Sequence, residues 1–274
     1  MKNFLVISVL SLFIFSCAAN KNEIIELDEK NAYEMYAEAM DAFYKAEYFF
    51  SSKKFSEAET NFDKFEYAAK SALMSSYSLY AINFYSEALD NIERYLKTYR
   101  SDKNIIYGHY LKALIFYDQL SDEKRDINPT LKAKKHIDFF LITYPDSDYA
   151  TDLRFKKDLI LNQLAAKEIY VARFYIETKK WIPAINRLKK IVKEYDETIF
   201  IEEALHRLVE IYYHLGVEDE AKKYASILGY NYNTSEWFEQ SYKLLNKNYK
   251  IKKKIKNDKE KGLIKSIFKK INLN

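Results

Sequence analysis

Glycine, proline and cysteine are scarce in this chain of 274 residues, which holds 4 Gly, 3 Pro and 1 Cys. No two glycines stand close enough for a G-x-G-x-x-G turn or a P-loop, so phosphate cradling by such a loop is excluded. All-β folds need many tight turns, and their residues are missing; long helices with short connections are expected instead. One cysteine cannot make a disulfide within the chain or a multi-cysteine zinc site. Neither charge sign dominates, with 44 Lys and Arg against 40 Asp and Glu. The 48% apolar and 16% aromatic content is too high for a disordered chain. His109, His136, His206 and His214 form no H-E-x-x-H pair, and no serine has a G-x-S-x-G context. The carboxylates lie among lysines on helical stretches, as on a solvated face. The expectation is a helical protein without catalytic residues, metal or cofactor.

The longest apolar run is residues 4–15, FLVISVLSLFIF. It is too short for a bilayer, which needs about 20 residues, but suits the apolar core of a signal peptide. It ends Ile14-Phe15-Ser16-Cys17, which resembles the bacterial lipobox: an apolar residue, a small one before the cut, then cysteine. The resemblance implies lipidation of Cys17 on its thiol and freed amine, and several acyl chains anchor stably where one does not. Ala18, where Asp would signal retention in the inner membrane, implies the outer membrane. The expected organisation is a signal peptide at 1–16, a lipidated tether at 17–31, a repeat domain at 32–246 and a basic tail at 247–274.

From about residue 32 the apolar residues recur with helical period, and internal repeats appear. The tetratricopeptide pattern asks for a small residue in helix A, and for Ala followed four later by an apolar residue in helix B. Ala58, Ala88, Ala133, Ala184 and Ala221 fit, followed by Phe62, Ile92, Ile137, Leu188 and Ala225. Helix-A elements are read at Ala46-x-x-Phe49, Ala113-x-x-Phe116 and Ala172-x-x-Tyr175. The anchors are 30, 45, 51 and 37 residues apart. A polar insert at 121–130 accounts for the 45, and a long helix within 148–179 for the 51. The expected fold is all-α, a tetratricopeptide-like α-solenoid of about five helix pairs whose concave face takes peptides. Most of the 25 Tyr and 18 Phe fall at core positions. With Ala46 and Ser76 as the small helix-A residues, Met40, Phe43, Glu47, Phe50, Tyr77 and Tyr80 face the groove of the first two repeats, or pack on the neighbouring repeat. Such an apolar, aromatic groove suits extended peptide with aromatic side chains.

The tail carries 11 Lys against Asp258 and Glu260. Leu263, Ile264, Ile267, Phe268 and Ile271 within it have helical spacing, the pattern of an amphipathic helix for a lipid surface or a partner groove; a disordered Lys-rich tail is the alternative.

Several segments resemble the BamD family of outer-membrane assembly lipoproteins, alphaproteobacterial members above all. They include HYLKALIFYDQL (109–120), the KRDINPT insert (124–130), TYPDSDYATD (143–152), KKWIPAINRL (179–188) and LGYNYNTSEWFEQSYKLL (228–245). The resemblance covers roughly residues 1–246 and implies a non-enzymatic scaffold at the periplasmic face of the outer membrane. Its implied partners are the barrel protein BamA, other assembly lipoproteins and unfolded outer-membrane proteins, with no nucleic acid. The Arg of W-x-x-x-x-N-R maps to Arg187, with Trp181 as landmark, and implies the BamA contact. The family's Pro-Tyr turn between repeats 1 and 2 is missing, in keeping with the spacing of 30. The competing expectation is a repeat lipoprotein that organises peptidoglycan or envelope-division enzymes.

Overall fold

The computed structural model describes residues 29–120 and 126–246; the expected signal peptide, Cys17 and the basic tail lie outside them. Every element among the described residues is a helix. They run α1 Glu29–Tyr44, α2 Tyr48–Asn61, α3 Phe65–Ala81, α4 Tyr85–Thr98, α5 Ile105–Tyr117 and α6 Asn128–Thr143. There follow α7 Ala150–Glu177, α8 Trp181–Glu194, α9 Ile201–His214, α10 Glu218–Asn231 and α11 Glu236–Leu245. Among the described residues the all-α, tetratricopeptide-like fold is therefore five helix pairs and one further helix. The long helix expected between 148 and 179 is α7.

The pairs share one turn. In pairs one, two, four and five the chain passes from helix A to helix B through a residue with positive φ: Ala46 (60°), Asn83 (62°), Lys179 (56°) and Gly216 (72°). The next N–H reaches back five residues: Glu47 to Ala42 O, Phe84 to Leu79 O, Lys180 to Tyr175 O and Val217 to Tyr212 O, at 2.8–3.0 Å. This is the Schellman closure, which satisfies carbonyls that a helix end leaves orphaned.

These turns fix the register and correct the first repeat. Seven residues before the positive-φ residue stand Ala39, Ser76 and Ala172; five after it stand Ser51, Ala88, Ala184 and Ala221. The first helix-B anchor is thus Ser51, followed by buried Phe55, and not Ala58. The small helix-A residue is Ala39; Ala46 is the exposed turn residue. The sequence reading stood seven residues too late because seven residues are nearly two helical turns. Ala58 lies on the same buried face as Ser51 and has the same 0% exposure. The first spacing becomes 37 rather than 30.

The chain divides into two compact units, residues 29–120 with 135–151, and 126–134 with 152–246. In the first, α1 to α5 pack each on the next in sequence. Ala58, Ala69, Ala72, Ala88, Ile92, Tyr95, Leu111 and Ile115 form its core. Burying each large apolar side chain contributes about 1.5–3 kcal/mol. Small residues bring helices close. Ser76 donates to Ala88 O at 2.8 Å across pair two, Ser51 donates to Ala39 O at 2.9 Å across pair one, and Ser52 and Ser75 meet at 2.9 Å between α2 and α3. Gly108 plays the same part: a Cβ there would lie 2.5 Å from the buried ring of Tyr95.

In the second unit α9 packs against α8, α10 and α11. Two buried glutamates tie in α7. Glu168 accepts from Arg187 and Lys190 of α8, and Glu203 of α9 receives Arg173 of α7 through both its oxygens. His206 Nε2 lies 3.3 Å from the Glu210 carboxylate, and its Nδ1 lies 2.8 Å from Ser241 of α11. A carboxylate only accepts, so His206 Nε2–H donates to Glu210, while Nδ1 meets the Ser241 hydroxyl. Burial opposes ionisation of Glu210, but hydrogen bonds from His206 and Arg207 hold its carboxyl down at about 2.

Candidate functional site

Two surface regions gather the residues singled out in the sequence, one in each unit. The first is aromatic. With Ala39 and Ser76 as the small helix-A residues, Met40 and Tyr77 each follow by one, and Phe43 and Tyr80 by four. The two pairs therefore occupy equivalent places on α1 and α3. Phe43 lies 5.8 Å from Tyr77, Tyr77 6.1 Å from Tyr80, and Tyr80 6.4 Å from Tyr85 of α4, between ring centroids. All four of Met40, Phe43, Tyr77 and Tyr80 are half-buried, so the three aromatics offer part of each ring rather than whole side chains. Tyr80 donates to Asp118 at 2.6 Å. Burial, then that hydrogen bond, push its hydroxyl well above the usual phenol range. Tyr107 of α5 is raised by burial and then by its neighbours Tyr77 and Tyr149, and Tyr149 stacks on Tyr110 at 4.6 Å. The aromatic face thus continues into the third pair.

Glu47 and Phe50 do not belong to it. They entered through the misplaced Ala46 anchor. Glu47 is the residue before α2, and Phe50 lies on α2, 47% exposed, with the Lys54 ammonium 5.7 Å from its ring centroid. The residues missed were Tyr107, Tyr110 and Tyr149. A second repeated motif pointed to the frame that holds them. Tyr99, Tyr144, Tyr195 and Tyr232 each follow a helix-B anchor by eleven residues, and Asp102, Ser147, Thr198 and Ser235 follow three later. In each case the N–H of the latter residue donates to the tyrosine carbonyl, turning the chain into the next helix A.

The second region is cationic. Arg187 sits on α8 with its side chain 45% exposed; its guanidinium donates to Glu168 at 3.0 Å, and Lys190 donates to the same carboxylate at 2.7 Å. Glu168 is 4% exposed, so a buried anion sets the position of both cations. Lys190 is raised by this hydrogen bond against the opposing effect of burial. Tyr175, Ile182, Pro183, Asn186, Arg187 and Lys190 line a cleft of about 380 Å³. Ile182, 66% exposed, offers an apolar surface beside the cations. Trp181 opens α8 and packs on His214 at 5.0 Å, which makes it a support of this surface rather than part of its lining. A site of this kind suits a carboxylate-bearing segment with an apolar side chain.

Among the described residues no group of three or more His, Cys, Asp or Glu could hold a metal ion. His136 is stacked on Phe116 at 4.3 Å; burial, then Lys112 and Lys135, hold its imidazole down at about 4. No helix among the described residues is long and apolar enough to cross a membrane.

The family model described as YfiO, outer membrane lipoprotein, matches residues 28–228. An outer membrane protein assembly factor BamD from Rickettsia prowazekii is 38% identical over 204 residues, covering 72% of this chain and 81% of the relative. One of the same description from Caulobacter vibrioides is 32% identical over 236 residues, covering 86% and 77%. A solved structure of Pseudomonas aeruginosa pilF, 12% identical, covers 76% of this chain and 80% of its own with a TM-score of 0.33.

Proposed function

The chain belongs to the YfiO family of outer membrane lipoproteins, with the BamD assembly factors, and from that premise we propose how it serves assembly. It is a non-catalytic outer membrane protein assembly factor associated with the outer membrane. In the finer reading, the cationic cleft on α8 docks a BamA-like barrel protein, and the aromatic face of the first pairs receives unfolded outer-membrane proteins. Lipid on Cys17 holds the chain at the periplasmic face, beside other assembly lipoproteins.

The observation that carries the partner contact is the clamp on Glu168. The buried carboxylate fixes Arg187 while 45% of that side chain stays exposed, so its remaining donors are held ready for a partner's carboxylate. The client reading is supported by the Phe43, Tyr77 and Tyr80 rings, spaced for successive side chains of an extended peptide.

Co-purification from solubilised outer membrane tests the partner. The wild-type chain brings down a BamA-like protein, and Arg187→Glu loses it with helical circular dichroism unchanged. Loss of one desolvated charge contact typically costs about 2–5 kcal/mol. Recovery of cell-wall enzymes in place of a barrel protein would favour the envelope adaptor. For clients, a photo-crosslinker at Phe43 or Tyr77 captures apolar peptides that end in an aromatic residue. Capture confined to α8–α11 would refute the placement.

A further inference from the structure

The turns of the first two pairs carry aromatic residues that the fold does not bury. Phe49 is 63% exposed and Phe84 43% exposed, with ring centroids 5.9 Å apart. Tyr44, in the same first turn, is 78% exposed. Phe49 stands three residues after the positive-φ residue Ala46, and Phe84 one after Asn83. The second unit repeats the arrangement at the same two places with Ile182 and Val217, 66% and 43% exposed. Folding alone gives no reason for apolar side chains at each turn, since each exposed one forgoes part of the about 1.5–3 kcal/mol that full burial contributes.

The N–H groups of these turns are already satisfied. The N–H groups of Lys45, Ala46 and Glu47, and of Ile82, Asn83 and Phe84, all donate to carbonyls of their own helix end. Dehydrating the turns therefore orphans none of these donors, which lowers the cost of entering the less polar headgroup layer of a membrane. Lys45 is paired with Asp41 at 2.6 Å on an exposed helix end, where its stem can lie along the rim and its ammonium stay in water.

We propose that the Tyr44, Phe49 and Phe84 rim rests in the headgroup layer of the phospholipid membrane with which the protein is associated. Tyrosine prefers that layer, and phenylalanine seats its ring at the boundary of headgroups and acyl chains. The chain before α1 has the length this requires. Cys17 precedes Glu29 by twelve residues, a reach of roughly 40 Å when extended. The rim lies at the far end of α1, whose 16 residues span roughly 24 Å. An anchor at Cys17 can thus run the length of α1 and set the rim on the bilayer. The inference rests on the lipid-anchor reading, so its test supplies a different anchor.

The chain from Ala18 to Asn274, with an N-terminal histidine tag, is held on vesicles containing a nickel-chelating lipid. The remaining lipid is zwitterionic phosphatidylcholine and phosphatidylethanolamine, whose zero net charge gives the basic tail little attraction. Removing Cys17 leaves no other cysteine, so Ser86→Cys or Ser101→Cys places one polarity-sensitive fluorophore beside the rim or in the turn after α4. Label at 86 is expected to shift to the blue on the vesicles and to be quenched by spin-labelled lipid, while label at 101 does neither. Phe49→Ser with Phe84→Ser abolishes the shift at 86 with circular dichroism unchanged, and Phe49→Ser alone reduces it. Equal emission at 86 and 101, or a shift that survives both substitutions, overturns the proposal. Palmitate labelling of Cys17 is read separately, so failure of the anchor and failure of the rim are distinguishable.

Discussion

At the scale of single residues, two features are unfavourable locally and invite substitution. Ala46 holds a φ of 60°, a conformation that costs a residue with a Cβ about 1–2 kcal/mol. Gly216 occupies the same place in the fifth pair without that cost. Ala46→Gly is expected to raise the midpoint of thermal unfolding, the gain of about 1 kcal/mol being reduced by glycine's greater freedom when unfolded; a lower midpoint would show that the turn needs the methyl group. Tyr36 is the second case. Its hydroxyl is buried without a hydrogen-bond partner while its ring packs 5.4 Å from Phe55. Tyr36→Phe keeps the ring and removes the stranded hydroxyl, so stability in urea should be unchanged or rise by up to about 1 kcal/mol. The Glu168 clamp separates folding from partner contact. Arg187→Ala leaves Glu168 with Lys190, whereas Glu168→Ala deprives two cations of their buried anion. The second substitution should cost more stability than the first, and the first should cost more partner capture.

At the scale of elements, helix contacts depend on a few small residues and neutral rings. Gly108→Ala would press a methyl group into the Tyr95 ring, which is fully buried and donates to Asp102 at 2.7 Å, so the ring has little freedom to yield. A loss of about 1–3 kcal/mol is expected from chemical denaturation. His136 gives α6 a pH dependence. The unfolded imidazole takes its proton near 6.5, the folded one near 4, so the stability held by its neutral form is full above about 6.5 and falls as pH drops toward 4. Urea midpoints at pH 7 and 5 should differ, and His136→Phe should narrow the difference. Element scale is also where the sequence was most legible. Scarce Gly and Pro, Ala at helix-B anchors and apolar residues four later led to five helix pairs, because tight helix contacts demand small residues at fixed places. The first pair was read one heptad late, since Ala58 satisfies the same helical face as Ser51 and the marker that breaks the tie is a backbone angle at Ala46. Arg187 was visible, but its tie to Glu168, 19 residues away on another helix, was not, because periodicity places residues on faces and does not pair them.

At the scale of the whole molecule, one residue is expected to decide where the protein resides. Cys17→Ala should abolish palmitate incorporation and leave the chain unprocessed or free of the membrane; label retained by the variant would refute anchoring at Cys17. The nearest-neighbour packing of α1 to α5 has a further consequence, for speed. Each helix there finds its partner in the element that follows it, so few contacts among α1 to α5 close long loops. Folding rates fall as the sequence separation of contacts rises, and helical proteins with local contacts fold in microseconds to milliseconds. A chain built this way can complete its first pairs while later ones are still being delivered. It need not wait for its C-terminal residues, so the interval in which bare aromatic side chains could aggregate with the unfolded proteins around them is short.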